Sequence, residues 1–333
     1  MRRPASLSVN GGRLSTDALV CDKTAMAEDV IRPFDRASVR RHRDRAALGL
    51  ARHDFLLREI GARLGERIGD IRRDFPRVLD LGAHDGAMAD YLGVAGRDLV
   101  VQCDLSPAMT AANKRGNLRV VADEEWLPFA PESFDLAVSN LSLHWVNDLP
   151  GALAQVRRAL KPDGFFLGAL LGGDSLFELR RCLMDAELKI EGGLSPRISP
   201  MADIRDAGNL LTRAGFALPV ADSDTLTVSY ANAFELMKEL RGMGESNAVA
   251  ERRKTLTRRA TLLEAAAMYA KDYADDDAKN GDGRVTVTFQ VLYLGGWTPH
   301  ASQQKPLKPG SAAQRLADAL GSVEQPAGDK AEP

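Results

Sequence analysis

Apolar and polar positions follow a repeating order through the middle of this chain. Val78-Leu79-Asp80-Leu81 is an apolar run that breaks at Gly82-Ala83-His84-Asp85-Gly86 and resumes with helical spacing through Met88, Tyr91 and Leu92. It reads as a strand, a tight loop and a helix. Further strands are predicted at Leu99 to Asp104, Leu118 to Val121 and Phe134 to Asn140. A helix from Leu149 to Leu160 is stopped by Lys161-Pro162-Asp163-Gly164 before a strand from Phe165 to Leu171. This alternation predicts an α/β fold with a parallel sheet and right-handed crossovers.

The flanks carry helical spacing. Asp35 to about Asp70 predicts one or two helices, with apolar positions at Leu48, Leu56, Leu57, Ile60, Leu64 and Ile68. Arg36, Arg40, Arg41, His42, Arg43 and Arg45 make its start basic, which reads as a solvated helix face or as a contact for an acidic partner. Beyond the core, helices are predicted near Leu176 to Leu188, Ala202 to Ala214, Ala233 to Arg241 and Lys254 to Tyr273, with a strand after Gly215. Val285, Val287, Phe289, Val291 and Tyr293 alternate with Thr286, Thr288, Gln290 and Leu292, which predicts a last strand that pairs antiparallel and completes the sheet.

Composition sets limits on this picture. At 333 residues and 44% hydrophobic content, one large core with appendages can form. The formal charge of −2 gives no reason to expect a nucleic-acid binder. Cys21, Cys103 and Cys182 have neither zinc spacing nor pairing logic, so a reducing compartment is expected. No apolar run approaches the roughly 18 to 20 residues that span a bilayer, so membrane insertion is not expected. The expected division is a disordered extension over 1–30, with Met26 an alternative start, a helical segment over 31–75 and a cofactor-binding core over 76–172. Substrate-side helices and final strands of the same domain follow over 173–300, and a disordered tail over 301–333 in which only Leu316 to Leu320 hints at a helical turn. The acidic stretch Asp275 to Gly283 lacks the ligand alternation of a calcium loop and reads as a solvated hairpin turn. No metal site is advertised, and no Gly-x-Ser-x-Gly elbow is present.

Candidate chemistry starts at the glycine loop. Gly82 and Gly86 offer backbone access at the carboxyl end of the first strand, and the helix after them suits an anionic group. Asp104 ends the second strand, where a carboxylate accepts from both hydroxyls of a ribose. Asp123, in Ala122-Asp123-Glu124-Glu125, is placed to accept from an adenine amino group. These features predict a nucleoside-like cofactor.

Taken in order from residue 78 to 167, the Asp80-x-Gly82-x-x-x-Gly86 loop, Asp104, the 122–125 segment, Phe134 to Asn140 and Leu160 to Phe165 resemble the class I S-adenosylmethionine-dependent methyltransferases, methyltransferase type 11 among them. The resemblance implies a Rossmann-like fold with a mostly parallel seven-stranded sheet, an antiparallel last strand and helical appendages. It also implies S-adenosyl-L-methionine as cofactor, held by Asp80, Gly82, His84, Gly86, Asp104, Leu105, Asp123, Glu124 and Asn140. One departure stands out, since His84 replaces the middle glycine of the usual loop and either crowds the methionyl group or bonds to backbone. The chemistry is expected where the fourth strand ends, with His144 as base or donor and Trp145 as an apolar or cation-π wall, or both as a packed pair that closes the pocket.

A narrower resemblance rests on Leu141-Ser142-Leu143-His144-Trp145-Val146-Asn147-Asp148-Leu149-Pro150, Gly172-Gly173-Asp174-Ser175-Leu176, Glu191-Gly192-Gly193 with Ser195-Pro196, and Gly242-Met243-Gly244-Glu245-Ser246-Asn247. From about Phe34 to Trp297 the chain resembles the mitochondrial complex I assembly factor 5 family and its bacterial relatives. That resemblance implies a protein arginine hydroxylase acting on a respiratory complex I subunit, in the bacterial cytosol or on the mitochondrial matrix side. His144, Trp145, Glu245 and Asn247 then become the catalytic and substrate-side candidates, with Glu245 set to pair with a guanidinium. Helix-end capping is the competing role for Glu245 and Asn247. Two other readings stay open. One is an O-methyltransferase such as the malonyl-carrier-protein enzyme of biotin synthesis, with Arg197 near a carboxylate acceptor. The other is a non-catalytic assembly chaperone, which the histidine in the glycine loop supports.

Overall fold

Asp35 caps the first described helix: its carboxylate accepts from the backbone N–H of Ser38 at 3.0 Å and starts α1, Arg36–Ala46. The computed structural model describes residues 32–304 apart from 94–95, 114, 116–117, 202–203 and 276–282, together with residue 321; side chains 205 and 206 are not described. The extension over 1–30 with Met26 and Cys21, most of the acidic stretch, and the turn at Leu316 to Leu320 lie outside the described residues. A single turn of 3₁₀ helix, Leu50–Arg52, joins α1 to α2, Phe55–Gly69. Leu56, Leu57, Ile60, Leu64 and Ile68 of α2 are buried as their spacing predicts, but Leu48 lies in the turn and is fully exposed.

Seven strands form one sheet: β1 Arg77–Leu81, β2 Leu99–Asp104, β3 Leu118–Val121, β4 Phe134–Asn140, β5 Leu160–Leu171, β6 Ala217–Tyr230 and β7 Val285–Trp297. Their order is β3-β2-β1-β4-β5-β7-β6. The first five run parallel, and β7 pairs antiparallel with both β5 and β6. The last strand therefore sits inside the sheet, and β6 forms its edge. Val285, Val287, Phe289 and Val291 of β7 are wholly buried, as the alternation requires.

The remaining helices are α3 Pro107–Ala112, α4 Leu149–Ala159, α5 Phe177–Glu191, α6 Ile204–Arg213, α7 Ala233–Met243 and α8 Arg259–Asp272. Two apolar clusters cover the two faces of the sheet. Three local expectations are corrected. After the glycine loop comes only a 3₁₀ turn, Ala87–Asp90, too short to offer an anion-binding helix end. The Lys161 to Gly164 turn is absorbed as an irregularity into β5, which starts directly after α4 at Leu160. The last helix begins at Arg259, not Lys254. At the far end, residues 301–304 still belong to the fold, because Gln303 donates to Asp163 Oδ1 at 2.8 Å and to Thr298 O at 2.8 Å.

Candidate functional site

The carboxyl ends of β1, β2 and β4 bring the cofactor candidates together, as expected at the switch point of a sheet in this order. Gly82 and Gly86 have φ of 68° and 83°, a left-handed backbone that glycine adopts without strain. The clearance they create is used inside the protein. A Cβ on Gly82 would stand 2.0 Å from Ser142 Oγ, and one on Gly86 would stand 2.2 Å from Asn113 Oδ1. In this structure the Cβ direction of each glycine is filled by a side chain of the protein itself.

Asp80 and His84 are no freer. Asp80 is fully buried, accepts from Gln102 Nε2 at 2.9 Å on Oδ2, and has its pKa pushed up to about 7 by burial. His84 also has positive φ, 50°, a conformation that costs a residue with a Cβ free energy. Its backbone N–H donates to Asp104 Oδ2 at 3.0 Å, and its ring Nε2 lies 3.2 Å from Asn140 O. A carbonyl only accepts, so Nε2 carries the proton. Burial, then Arg43, lowers the His84 pKa, which keeps the ring neutral and leaves Nδ1 as a buried acceptor without a partner. Of the two expected fates for this histidine, bonding to backbone is the one observed.

Two arginines of α1 occupy the acids. Arg43 is almost wholly buried and donates through Nη1 to Asp104 Oδ2 at 3.2 Å and Glu124 Oε1 at 2.9 Å, and through Nη2 to Ser142 Oγ at 2.9 Å. Arg36 donates to Asp123 Oδ1 at 2.5 Å, to Glu124 Oε2, and to Trp145 O at 3.1 Å. Burial alone would raise the Glu124 pKa, but Arg43, Arg36 and the Ser142 hydroxyl hold it well below the usual carboxylate range. Asp104 also accepts from Ser106 N–H at 2.7 Å through Oδ1, so both of its oxygens are engaged. Reading α1 as a solvated basic face is therefore corrected for Arg36 and Arg43, while Arg40 and Arg41 are exposed. A signal was present: Arg36, Val39, Arg43 and Ala46 share one helical face, so the two arginines lie on the apolar stripe.

The space at the loop, bounded by Asp80, Gly82, His84, Asp85, Met88 and Asn140, amounts to about 10 Å³. That is room for about one water, far below the several hundred Å³ of a site for a nucleoside-sized ligand. With α1 in this position the residues do not fit S-adenosylmethionine, because its room and its acidic acceptors are taken. Asn140 is likewise committed, donating from Nδ2 to Leu57 O at 2.8 Å, and Leu105 packs against the Phe34, Val39, Trp145 and Ala248 cluster.

The second group of candidates meets around one carboxylate. Gly244, at φ 90°, ends α7, and the N–H of Glu245 reaches back to Leu240 O at 2.8 Å. This turn sends Glu245 toward the 3₁₀ turn Leu143–Trp145 that follows β4. Glu245 Oε2 accepts from Trp145 Nε1 at 2.9 Å and lies 3.0 Å from His144 Nε2. Burial would raise the pKa of Glu245, but His144 and then Arg43 hold it below its ordinary value. The carboxylate is thus ionised and acceptor-only, and His144 Nε2 bears the proton. Trp145 also packs edge-on to Phe34 at 5.4 Å. Asn247 stands apart from this group: it donates to Pro196 O at 2.8 Å and accepts from Val249 N–H at 3.0 Å, bracing its own loop. Asn247 caps no helix, because α7 ends at Gly244 and α8 starts only at Arg259, and Glu245 also uses its side chain elsewhere.

Glu245 and His84 border one small cavity of about 10 Å³. Glu245 also borders a cleft of about 740 Å³ that opens between α5, α7 and the loops around Ile198 and Arg252. The carboxylate is therefore a wall shared by the space beside the glycine loop and the open cleft. Arg197 borders the cleft but is held by Glu187, from Nε at 3.1 Å and Nη2 at 2.5 Å. Among the described residues no group of three or more His, Cys, Asp or Glu is arranged to hold a metal ion, and no helix is long and apolar enough to cross a membrane.

A methyltransferase domain family matches residues 79–168. The mitochondrial arginine-hydroxylase NDUFAF5 of Danio rerio is 45% identical over 290 residues, covering 86% of this chain and 88% of that protein. A malonyl-[acyl-carrier protein] O-methyltransferase of Laribacter hongkongensis is 34% identical over 291 residues, 83% of this chain and 94% of the relative. Among solved structures, the YcgJ protein of Bacillus subtilis superposes with a TM-score of 0.50 at 17% identity over 73% of this chain and 99% of that one. That likeness bears on the fold alone, and it agrees with the class I methyltransferase architecture seen here.

Proposed function

The chain belongs to the family of the mitochondrial arginine-hydroxylase NDUFAF5, and from that membership we propose that it is an enzyme that hydroxylates an arginine of a partner protein, a subunit of respiratory complex I. The observation that carries this reading to the site is Glu245. An ionised, acceptor-only carboxylate, oriented by His144 and Trp145 at the inner wall of an open cleft, is what a guanidinium needs for a charge-assisted contact. The partner's arginine would enter from the cleft, and the reading sets the enzyme in the bacterial cytosol or on the matrix side, where such subunits are assembled.

S-adenosyl-L-methionine belongs to the proposal only through a rearrangement. Asp104 and Asp123 are the acceptors that the adenosine would use, and Arg43 and Arg36 would have to leave them first. Movement of α1 is therefore part of any cofactor-bound form. Carboxylate O-methylation, the chemistry named for the malonyl-carrier-protein relatives, finds less support, since Arg197 is already engaged by Glu187.

Deleting the gene and comparing tryptic peptides of the complex I subunits with those of the parent strain tests the proposal. Loss of one oxygen from an arginine peptide is the expected result. Unchanged subunit peptides would overturn it, and loss of a methyl group would redirect it to methyl transfer.

A further inference from the structure

The cleft outside Glu245 has a one-sided charge pattern. Arg45, Arg197, Arg241, Arg252, Arg253 and Lys254 border it, and among the described residues Glu245 is the one carboxylate that does. Half of these cations are neutralised: Arg197 by Glu187, Arg252 by Asp35 and Arg253 by Glu191. Arg45, Arg241 and Lys254 are exposed and have no carboxylate within ion-pair distance among the described residues. Arg45 donates only to Ser246 Oγ at 3.0 Å, and both burial and the facing Arg241 lower its pKa. Like charges held across an open cleft without counter-ions mark a place that an anionic group would stabilise.

The rest of the lining narrows the class of ligand. Leu176, Leu179, Leu183, Met237, Leu240 and Leu262 line the walls, so an aliphatic group is accommodated beside the charges. Ser199 is 3% exposed, lines the same cleft, and its hydroxyl has no hydrogen-bond partner. A buried hydroxyl without a partner is costly, and a peptide backbone supplies both an N–H and a C=O to satisfy it, whereas a lipid chain supplies neither. A volume of about 740 Å³ suits a short extended segment rather than a folded surface.

We propose that this cleft seats a segment of the substrate protein in which acidic and aliphatic residues flank the target residue, the carboxylates lying on Arg45, Arg241 and Lys254. This rests on the reading that the substrate is a protein arginine entering toward Glu245, and it adds the sequence character of what surrounds that arginine. Steering by the unpaired cations also explains how a segment carrying a positive target enters a positive cleft: the flanks reverse the repulsion.

The test is fluorescence anisotropy on the full chain with labelled nonapeptides. One has a central arginine with aspartate and leucine flanks, a second has lysine in place of each aspartate, and a third replaces the central arginine of the first with glutamine. The acidic peptide should bind roughly tenfold tighter than the lysine peptide, the sum of a few exposed ion pairs, and weaken as salt is raised. In Arg45→Glu/Arg241→Glu, and separately in Lys254→Glu, that preference should shrink or reverse while the melting temperature is unchanged. Equal binding of the acidic and lysine peptides, an unaltered preference in these variants, or displacement of the acidic peptide by phosphatidylglycerol vesicles at physiological salt would overturn the inference. The third peptide separates the two levels. Equal affinity with glutamine at the centre would count against the arginine reading and leave the flank preference standing. Arginine dependence without an acidic preference would sink the flank inference alone.

Discussion

Arg43 and Arg45 are two residues apart on the same helix and meet opposite conditions. Arg43 is buried, with two carboxylates and a hydroxyl around it, while Arg45 is exposed, faces another arginine and touches one serine hydroxyl. One turn of α1 therefore closes the space beside the glycine loop and lines the open cleft. The sealed side holds Arg36 and Arg43 in ion pairs beside about 10 Å³ of free space, and the open side, among the described residues, leaves three cations without a carboxylate partner around about 740 Å³. The pattern separates a region built to hold its own parts from one built to receive something else.

The largest effect expected from breaking this contrast is on stability. Arg43→Gln leaves Asp104 and Glu124 buried without their shared cation and should cost about 3 kcal/mol in urea unfolding, in line with loss of one member of a buried pair. Arg45→Gln should stay within about 0.5 kcal/mol of the parent, as a surface change does. Equal costs would show that the two arginines are not in different environments.

Next in size is ligand access. If α1 must leave before the acids are free, the competent fraction is small, and Arg43→Gln should raise the affinity for S-adenosylhomocysteine by roughly tenfold in calorimetry. Unchanged or weaker binding would show that α1 does not compete for the site. Hydrogen exchange of residues 36–46 should rise when S-adenosylhomocysteine is added to the parent chain.

A smaller effect concerns pH. Burial pushes Asp80 up to about 7, so between about pH 4 and 7 the folded state holds a proton that the unfolded chain has released. The stability this supplies is fully present below the unfolded value and is lost as pH rises through 7. Asp80→Asn removes the titration, so its melting temperature relative to the parent should be several degrees more favourable at pH 8 than at pH 5. A pH-independent difference would show that Asp80 is not held protonated. The smallest effect is that of Asn247→Ala, which loses two loop hydrogen bonds and should cost about 1 kcal/mol in the same unfolding measurement.

Most of the sheet was legible because strand and helix periods are local. Val78 to Leu81 and Val285 to Tyr293 carry their alternation or apolar run in the sequence itself. Glu245 was singled out through the family resemblance and His144 and Trp145 from the end of β4, and nothing local announces that one carboxylate joins the three. The sealing arginines were misread for a physical reason. A basic run is usually solvated, and only acids brought in from β2 and the loop after β3 make Arg36 and Arg43 stable inside. What packs against Gly82 and Gly86 was not legible either, since it comes from Ser142 and Asn113, remote in sequence.

The central claim is that Glu245 receives the arginine of a partner protein. The most direct test is to complement the deletion strain with the parent gene or with Glu245→Gln, confirm equal protein levels, and measure the oxygen carried by the complex I arginine peptide. Restoration by the parent gene and near-complete loss with Glu245→Gln is the predicted result. Full oxygenation in the Glu245→Gln strain would contradict the account.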